Sequence, residues 1–243
     1  MKASYAHYTL HFRQPAGTSR GVLTDKETYF LKLEDEDMPG VFGLGECAVF
    51  RGLSADDVPA YEDKLRELCA NISADKETDL HEFPSIRFGL ETAINDFANG
   101  CRRQPFPSDF TEGMSAIPIN GLVWMGTKEE MLHRIDDKIK AGFTTIKLKV
   151  GAIDTESELD LVRHIRKVFP PEVLTIRLDA NGGFTPDNAL QKLSDFARYG
   201  IHSIEQPIKQ GQWEAMRRIC SESPIDIALD EELIGIHTPE RMG

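Results

Sequence analysis

The chain has 243 residues, 40% of them hydrophobic and 28% charged, which is the make-up of a globular protein with room for one large domain or two ordinary ones. A formal charge of −12 excludes nucleic acid as the main partner, because phosphate binding needs a basic surface. No apolar run approaches the ~20 residues of a membrane span, and the start, Met1-Lys2-Ala3-Ser4-Tyr5, lacks the apolar stretch of a signal peptide.

Residues 5–12 and 28–33 alternate like strands, and 40–49 is a third extended stretch with glycines at 40, 43 and 45. Residues 56–71 read as a helix, with Val58, Tyr61, Leu65 and Leu68 at helical spacing. A second helix over 85–99 carries Ile86, Leu90, Ala93, Ile94 and Phe97 on one face, and Gly100 follows in a capping position. The proline-containing stretch 104–108 reads as a linker. These residues predict an α+β domain over 1–115.

From Ile117 onward the pattern alternates strand and helix. Thr127 and Glu130 form a capping box before a helix with Met131, Ile135 and Ile139 on one face, ended by Gly142. A strand at 144–150 leads to a helix over 154–169, stopped by Pro170-Pro171. A strand at 174–179 is followed by Thr185-Pro186, an N-cap with proline at the first helical position. Leu190, Leu193 and Phe196 line that helix, and Gly200 closes it. Strands at 201–205 and 225–230 flank a helix over 212–220. Such alternation predicts a parallel sheet with helices outside it, the start of a (β/α) barrel over 116–243. Thr238-Pro239 announces one more helix that the sequence does not complete. A full barrel takes ~250 residues by itself, so the expectation is a C-terminally incomplete barrel, with the chain either a fragment or lacking an unseen remainder, and inactive by itself.

The chemistry lies at the strand ends. Lys147 and Lys149 are followed by Asp179, Glu205 and Asp230, at spacings of 30, 26 and 25 residues from Lys149 onward, about one strand-helix-strand unit each. Successive strand ends of a parallel barrel meet at one mouth. Carboxylates brought together repel, by ~4 kcal/mol for two charges ~4 Å apart at an effective dielectric of ~20. A divalent cation removes that conflict, and carboxylate oxygens suit Mg²⁺, with Mn²⁺ able to substitute. Asp179, Glu205 and Asp230 are therefore the expected metal ligands. Taken singly, each reads more readily as a helix cap or solvated acid, and it is the three in register that point to a metal. Lys147 and Lys149 share one face of their strand, beside the metal, where a like charge lowers a lysine pKa and frees an amine for proton transfer.

Around these groups, Asn181 lies two past Asp179 and orients a ligand or touches a substrate oxygen. Arg177 lies two before it and binds a substrate carboxylate or pairs with an acid. Residues 45–54, including Arg51, form either a substrate-capping loop or an ordinary glycine-rich turn. His81, His133, His164, His202 and His237 lack ligand spacing and read as surface or packing residues, and Trp124 and Trp213 read as core. Cys47, Cys69, Cys101 and Cys220 are scattered, with no C-x-x-C pair, as expected of reduced thiols in a cytoplasmic protein without a zinc site.

Four motifs in order, Thr145-Ile-Lys-Leu-Lys-Val150, Arg177-Leu-Asp-Ala-Asn-Gly182, Ser203-Ile-Glu-Gln-Pro207 and Ala228-Leu-Asp-Glu231, resemble the enolase superfamily, in its muconate-cycloisomerase-like branch. The resemblance covers nearly the whole chain. It implies an N-terminal capping domain, a modified TIM barrel and a Mg²⁺-stabilised ene-diolate. It makes Lys149 the base and Lys147 its electrostatic, carboxylate-binding neighbour. It places a second catalytic lysine on a strand beyond Gly243, with Glu231 supporting that lysine's site rather than binding metal. Within the branch, the stretches Gly45-Glu-Cys-Ala-Val-Phe-Arg-Gly-Leu-Ser54, Ser85-Ile-Arg-Phe-Gly-Leu-Glu91 and Ile119-Asn-Gly-Leu-Val-Trp-Met125 are most similar to the o-succinylbenzoate synthase family. The implied reaction is a dehydration by a carbon-oxygen lyase of menaquinone biosynthesis, on a small-molecule carboxylate. Dipeptide epimerase or muconate-type cycloisomerase activity is the alternative within the superfamily, and a non-catalytic partial chain the alternative outside it. Oligomeric state is not legible.

Overall fold

The computed structural model describes residues 1–18 and 21–236. His237 and the Thr238-Pro239 signal lie outside the described residues. The chain divides into two compact units, one of Met1–Ala16 with Val22–Ile117, the other chiefly the residues from Pro118 onward.

In the first unit, β1 (Lys2–Thr18), β2 (Gly21–Glu34) and β3 (Phe42–Cys47) form a sheet in that order, with β2 and β3 antiparallel. The helices α1 (Tyr61–Ser73) and α2 (Pro84–Ala98) follow. Leu65, Leu68 and Ile86 of these helices bury against Tyr29 and Leu31 of β2. Helix α1 starts later than the apolar spacing predicts. The buried Asp56 carboxylate instead accepts from the Ser85 amide at 2.8 Å and the Ser85 hydroxyl at 2.7 Å, tying the preceding turn to the start of α2. The stretch read as a loop from Gly45 begins inside β3. A Cβ on Gly45 would stand 1.8 Å from the Gly89 carbonyl oxygen, so strand and helix meet backbone to backbone.

The second unit runs β4 (Gly121–Val123), α3 (Lys128–Lys140), β5 (Thr145–Lys149), α4 (Thr155–Arg166), β6 (Thr175–Asp179), α5 (Ala189–Ala197), β7 (Ser203–Glu205), α6 (Trp213–Glu222), β8 (Asp226–Ala228) and a 3-10 turn over Glu231–Leu233. Its five strands are parallel and lie in chain order. Among the described residues the sheet does not close, so the unit is an incomplete (β/α) barrel. Ile146, Leu148, Ile176, Leu178 and Ile204 are fully or almost fully buried in one core with Leu161, Val162, Leu193 and Phe196 of the helices. Each such side chain contributes about 1.5–3 kcal/mol by leaving water.

Side-chain caps mark the starts of α3 and α4. The capping box is present, with Thr127 accepting from the Glu130 amide and Glu130 accepting in return. Asp154 caps α4 by accepting from the Ser157 amide at 2.9 Å. Helix α5 differs from expectation. Thr185 and Asn188 first bond reciprocally, amide to side-chain oxygen at 3.0 and 3.3 Å, and this turn delays the helix to Ala189. Trp124 and Trp213, expected in the core, are 38% and 53% exposed. Trp124 lies just past the last paired residue of β4, and Trp213 opens α6 ahead of its buried pair, Met216 and Ile219. At the N-terminal ends of β6 and β7, the Arg166 guanidinium donates to four main-chain carbonyls, those of Phe169, Leu174, Tyr199 and Gly200, at 2.7–3.1 Å.

Candidate active site

Alternation along each strand separates the apolar side chains from the charged ones. Ile146 and Leu148 of β5 join the core, while Lys147 and Lys149 occupy the other face. Parallel pairing then sets Lys147 beside Arg177 and Lys149 beside Asp179, and Asp179 in turn beside Glu205. The side chains meet. Lys149 Nζ donates to Asp179 Oδ2 and to Asn181 Oδ1, each at 2.6 Å. Lys147 Nζ bridges Asp179 Oδ2 at 2.9 Å and Glu205 Oε2 at 2.7 Å. Asp179 is completely buried, whereas the two lysine side chains remain 18% and 15% exposed.

These contacts decide the protonation states. Burial pushes the Asp179 carboxyl up, but hydrogen bonds from Lys149 and Lys147 outweigh it and hold the group below the usual carboxylate range. Burial raises Glu205, Lys147 lowers it, and the neighbouring Asp179 charge leaves it above its ordinary value. Burial disfavours the Lys147 ammonium, yet Glu205 and Asp179 overcome this and raise its pKa.

Asp230 does not stand level with the other two acids. Glu205 pairs with Ala228, so Asp230 lies two residues past the row formed by Lys149, Asp179 and Glu205. It is exposed, beyond the end of β8. Among the described residues no three His, Cys, Asp or Glu side chains converge closely enough to hold a metal ion. The lysine ammoniums take the space and the charge balance between Asp179 and Glu205. Even so, the donor chemistry fits a hard divalent cation. The adjacent acids present oxygen ligands only, and their charges already draw in two cations. The residues that could hold such an ion are Asp179, Glu205 and Asp230.

The surrounding candidates separate by what they touch. Asn181, in the left-handed region at φ 43°, donates its amide to Asp179 Oδ1 at 3.1 Å and its side-chain nitrogen to Glu231 Oε1 at 3.1 Å. It therefore orients Lys149 through its own Oδ1. Glu231, expected to serve a different lysine, is buried and joins Lys149 through Asn181, with Oε2 unpartnered. Arg177 has no carboxylate partner among the described residues. Its Nη1 is 3.4 Å from Asn120 Oδ1, and its Nε is buried without a partner. Arg51 is engaged by Glu27 at 2.9 Å and Asp57 at 2.7 Å. His133 and His164 pair with Asp137 and Asp136, outside this cluster.

Sequence reasoning missed Gln206. It is completely buried and preceded by the candidate ligand Glu205. Its Oε1 accepts from the amides of Asp230 and Glu232, both at 3.1 Å, and its Nε2 donates to Ile208 O at 3.0 Å and Glu232 Oε2 at 3.2 Å. The available signal was a large amide between a strand-end acid and a proline.

The profile of the enolase C-terminal domain-like family matches residues 130–242. The o-succinylbenzoate synthase of Desulfotalea psychrophila is 40% identical over 99% of this chain and 74% of its own length. The chain belongs to the enolase superfamily. Within this superfamily the crystal structure of MenC from Desulfotalea psychrophila superposes with a TM-score of 0.84 at 36% identity, covering 99% of this chain and 74% of that one. The o-succinylbenzoate synthase of Thermosynechococcus elongatus, solved with Mg in its active site, gives 0.78 at 27% identity over 95% and 69%. The superfamily's L-Ala-D/L-Glu epimerase from Bacillus subtilis is 32% identical over 80% of this chain and 57% of its own length.

Proposed function

We propose that the protein is a Mg²⁺-dependent carbon-oxygen lyase that dehydrates a succinyl-hydroxycyclohexadiene carboxylate to o-succinylbenzoate, and that this chain supplies its base and its cation ligands. The observation that carries this reading is the cluster in which Lys149 and Lys147 share the Asp179 carboxylate beside Glu205. Its support is the 40% identity to an o-succinylbenzoate synthase. The resemblance to o-succinylbenzoate synthases supports a role in menaquinone biosynthesis. The scattered free cysteines are consistent with a cytoplasmic setting. The unit over 1–115 is assigned the role of substrate cap.

In this reading Lys149 is the base. It takes the proton α to the substrate carboxylate, and the same nitrogen, now an ammonium, returns a proton to the departing hydroxyl, which leaves as water. The ring gains a double bond and becomes aromatic. Asn181 Oδ1 and Asp179 aim the Lys149 nitrogen. Lys147 supplies positive charge next to the reacting carboxylate. Arg177, without an acid partner among the described residues, is free to receive a substrate carboxylate in a bidentate grip. Asp179, Glu205 and Asp230 would hold a divalent cation, which when bound would supply further positive charge against the developing oxyanion.

The protein with its (β/α) barrel closed should form o-succinylbenzoate from the cyclohexadiene acid when Mg²⁺ is present, and stop when a chelator removes it. No aromatic product at saturating Mg²⁺ would end the proposal. The similarity to the Bacillus subtilis enzyme favours dipeptide epimerase as the competing reading. Deuterium entering L-Ala-L-Glu in heavy water, without any dehydration activity, would establish it instead.

A further inference from the structure

We propose that Gln206 is a positioning residue of the cation site, holding the main chain that carries Asp230 against the end of β7. The inference rests on the reading of Asp230 as a cation ligand. Strand pairing does not place Asp230, because the ladder between β7 and β8 ends at Ala228. Gln206 takes over where the ladder stops. Its own amide donates to Ala228 O at 2.9 Å, and its carbonyl accepts from Gly182 at 2.7 Å. Its side chain then accepts from Asp230 and Glu232 and donates to Glu232 and Ile208. One residue thus fastens the ends of β6, β7 and β8.

The chemistry requires an amide. One oxygen with two lone pairs takes two N–H groups, and one NH₂ fills a carboxylate and a carbonyl. A glutamate there would set a carboxylate against Glu232, and a methionine would leave the Asp230 N–H and the buried Glu232 N–H unpaired. Gln206 also holds φ 40°, in the left-handed region and just before Pro207, a conformation uncommon for a residue with a side chain. Such backbone persists where surrounding bonds over-determine it, and the six bonds do so here. Groups that orient metal ligands without touching the metal typically change affinity about 10- to 100-fold when removed.

The test is Mn²⁺ binding to the full chain, followed by electron paramagnetic resonance, with Mg²⁺ as competitor. Gln206→Met should weaken binding about 10- to 100-fold, and Val162→Ala, on the core side of the sheet, should lower Tm without changing affinity. Glu205→Gln serves as the ligand control. If it weakens binding while folded Gln206→Met binds within about threefold of wild type, the positioning role is overturned and the cation site stands. If Glu205→Gln binds like wild type, the cation site fails and this inference with it. Should Gln206→Met not fold, the wild type still decides, because coupling is reciprocal. Saturating Mg²⁺ should slow hydrogen exchange of the Glu232 amide more than that of the α5 amides. Slowing no greater than in α5 would overturn the role.

Discussion

The two faces of the parallel sheet are made from alternate residues of the same strands, yet they obey different rules. On one face Ile146, Leu148, Ile176, Leu178 and Ile204 pack into a dry core whose identity matters mainly through volume. On the other, Lys147, Lys149, Asp179 and Glu205 are held by specific partners at 2.6–2.9 Å. The first face stabilises the strands. The second depends on that stability to keep two lysine side chains and two carboxylates together. A change on one face should be felt as stability, and a change on the other as chemistry.

The largest separation should come from Lys149→Ala. Removing the base should cost about 10²- to 10⁴-fold in turnover. The fold should survive, because Lys147 still neutralises Asp179. Steady-state rates beside a thermal melt would check this, and retained α-proton exchange in heavy water would refute the assignment of Lys149. Leu148→Ala, one residue away on the core face, should invert the pattern. It should lose about 2–5 kcal/mol of stability while the folded fraction keeps its Mg²⁺ affinity. A denaturant titration run with and without Mg²⁺ measures both quantities.

The smallest effect concerns acid. Asp179 titrates lower when folded than when unfolded, so the unfolded chain binds more protons below the ordinary carboxylate pKa of ~3.9. Its contribution is therefore complete above that value and falls away as pH drops through the folded value. Glu205, raised by burial, acts with the opposite sign and offsets part of this at higher pH. Unfolding midpoints measured from pH 6 to pH 2 should show a loss in acid that Asp179→Asn reduces. An identical acid limb in that variant would contradict the sign.

The core face was legible because period-2 alternation and helix caps are local. Thr127 and the apolar residues of β5 and β6 stand where their pattern predicts. The lysine pair was legible for the same reason. Spacing could not reveal how far each strand remains paired. Counting residues put Asp230 level with Glu205, although pairing ends two residues sooner and a 3-10 turn follows. Nor could periodicity find Gln206, whose importance lies in partners from other strands. The stretch beginning Gly45 and the one containing Gly89 carried the finer family likeness, and the structure gives them a packing reason, since each glycine fits against the other's segment.

Arg166 acts at the opposite ends of the same strands. Its guanidinium is held by four peptide carbonyls, none of which gains or loses a proton. Arginine itself stays charged throughout the range in which proteins live. The strands are thus anchored at one end by bonds indifferent to acid and at the other by a cluster whose charges titrate. Acid should accordingly fray this sheet from its carboxylate end, leaving the arginine-clasped loops as the last part of the unit to let go.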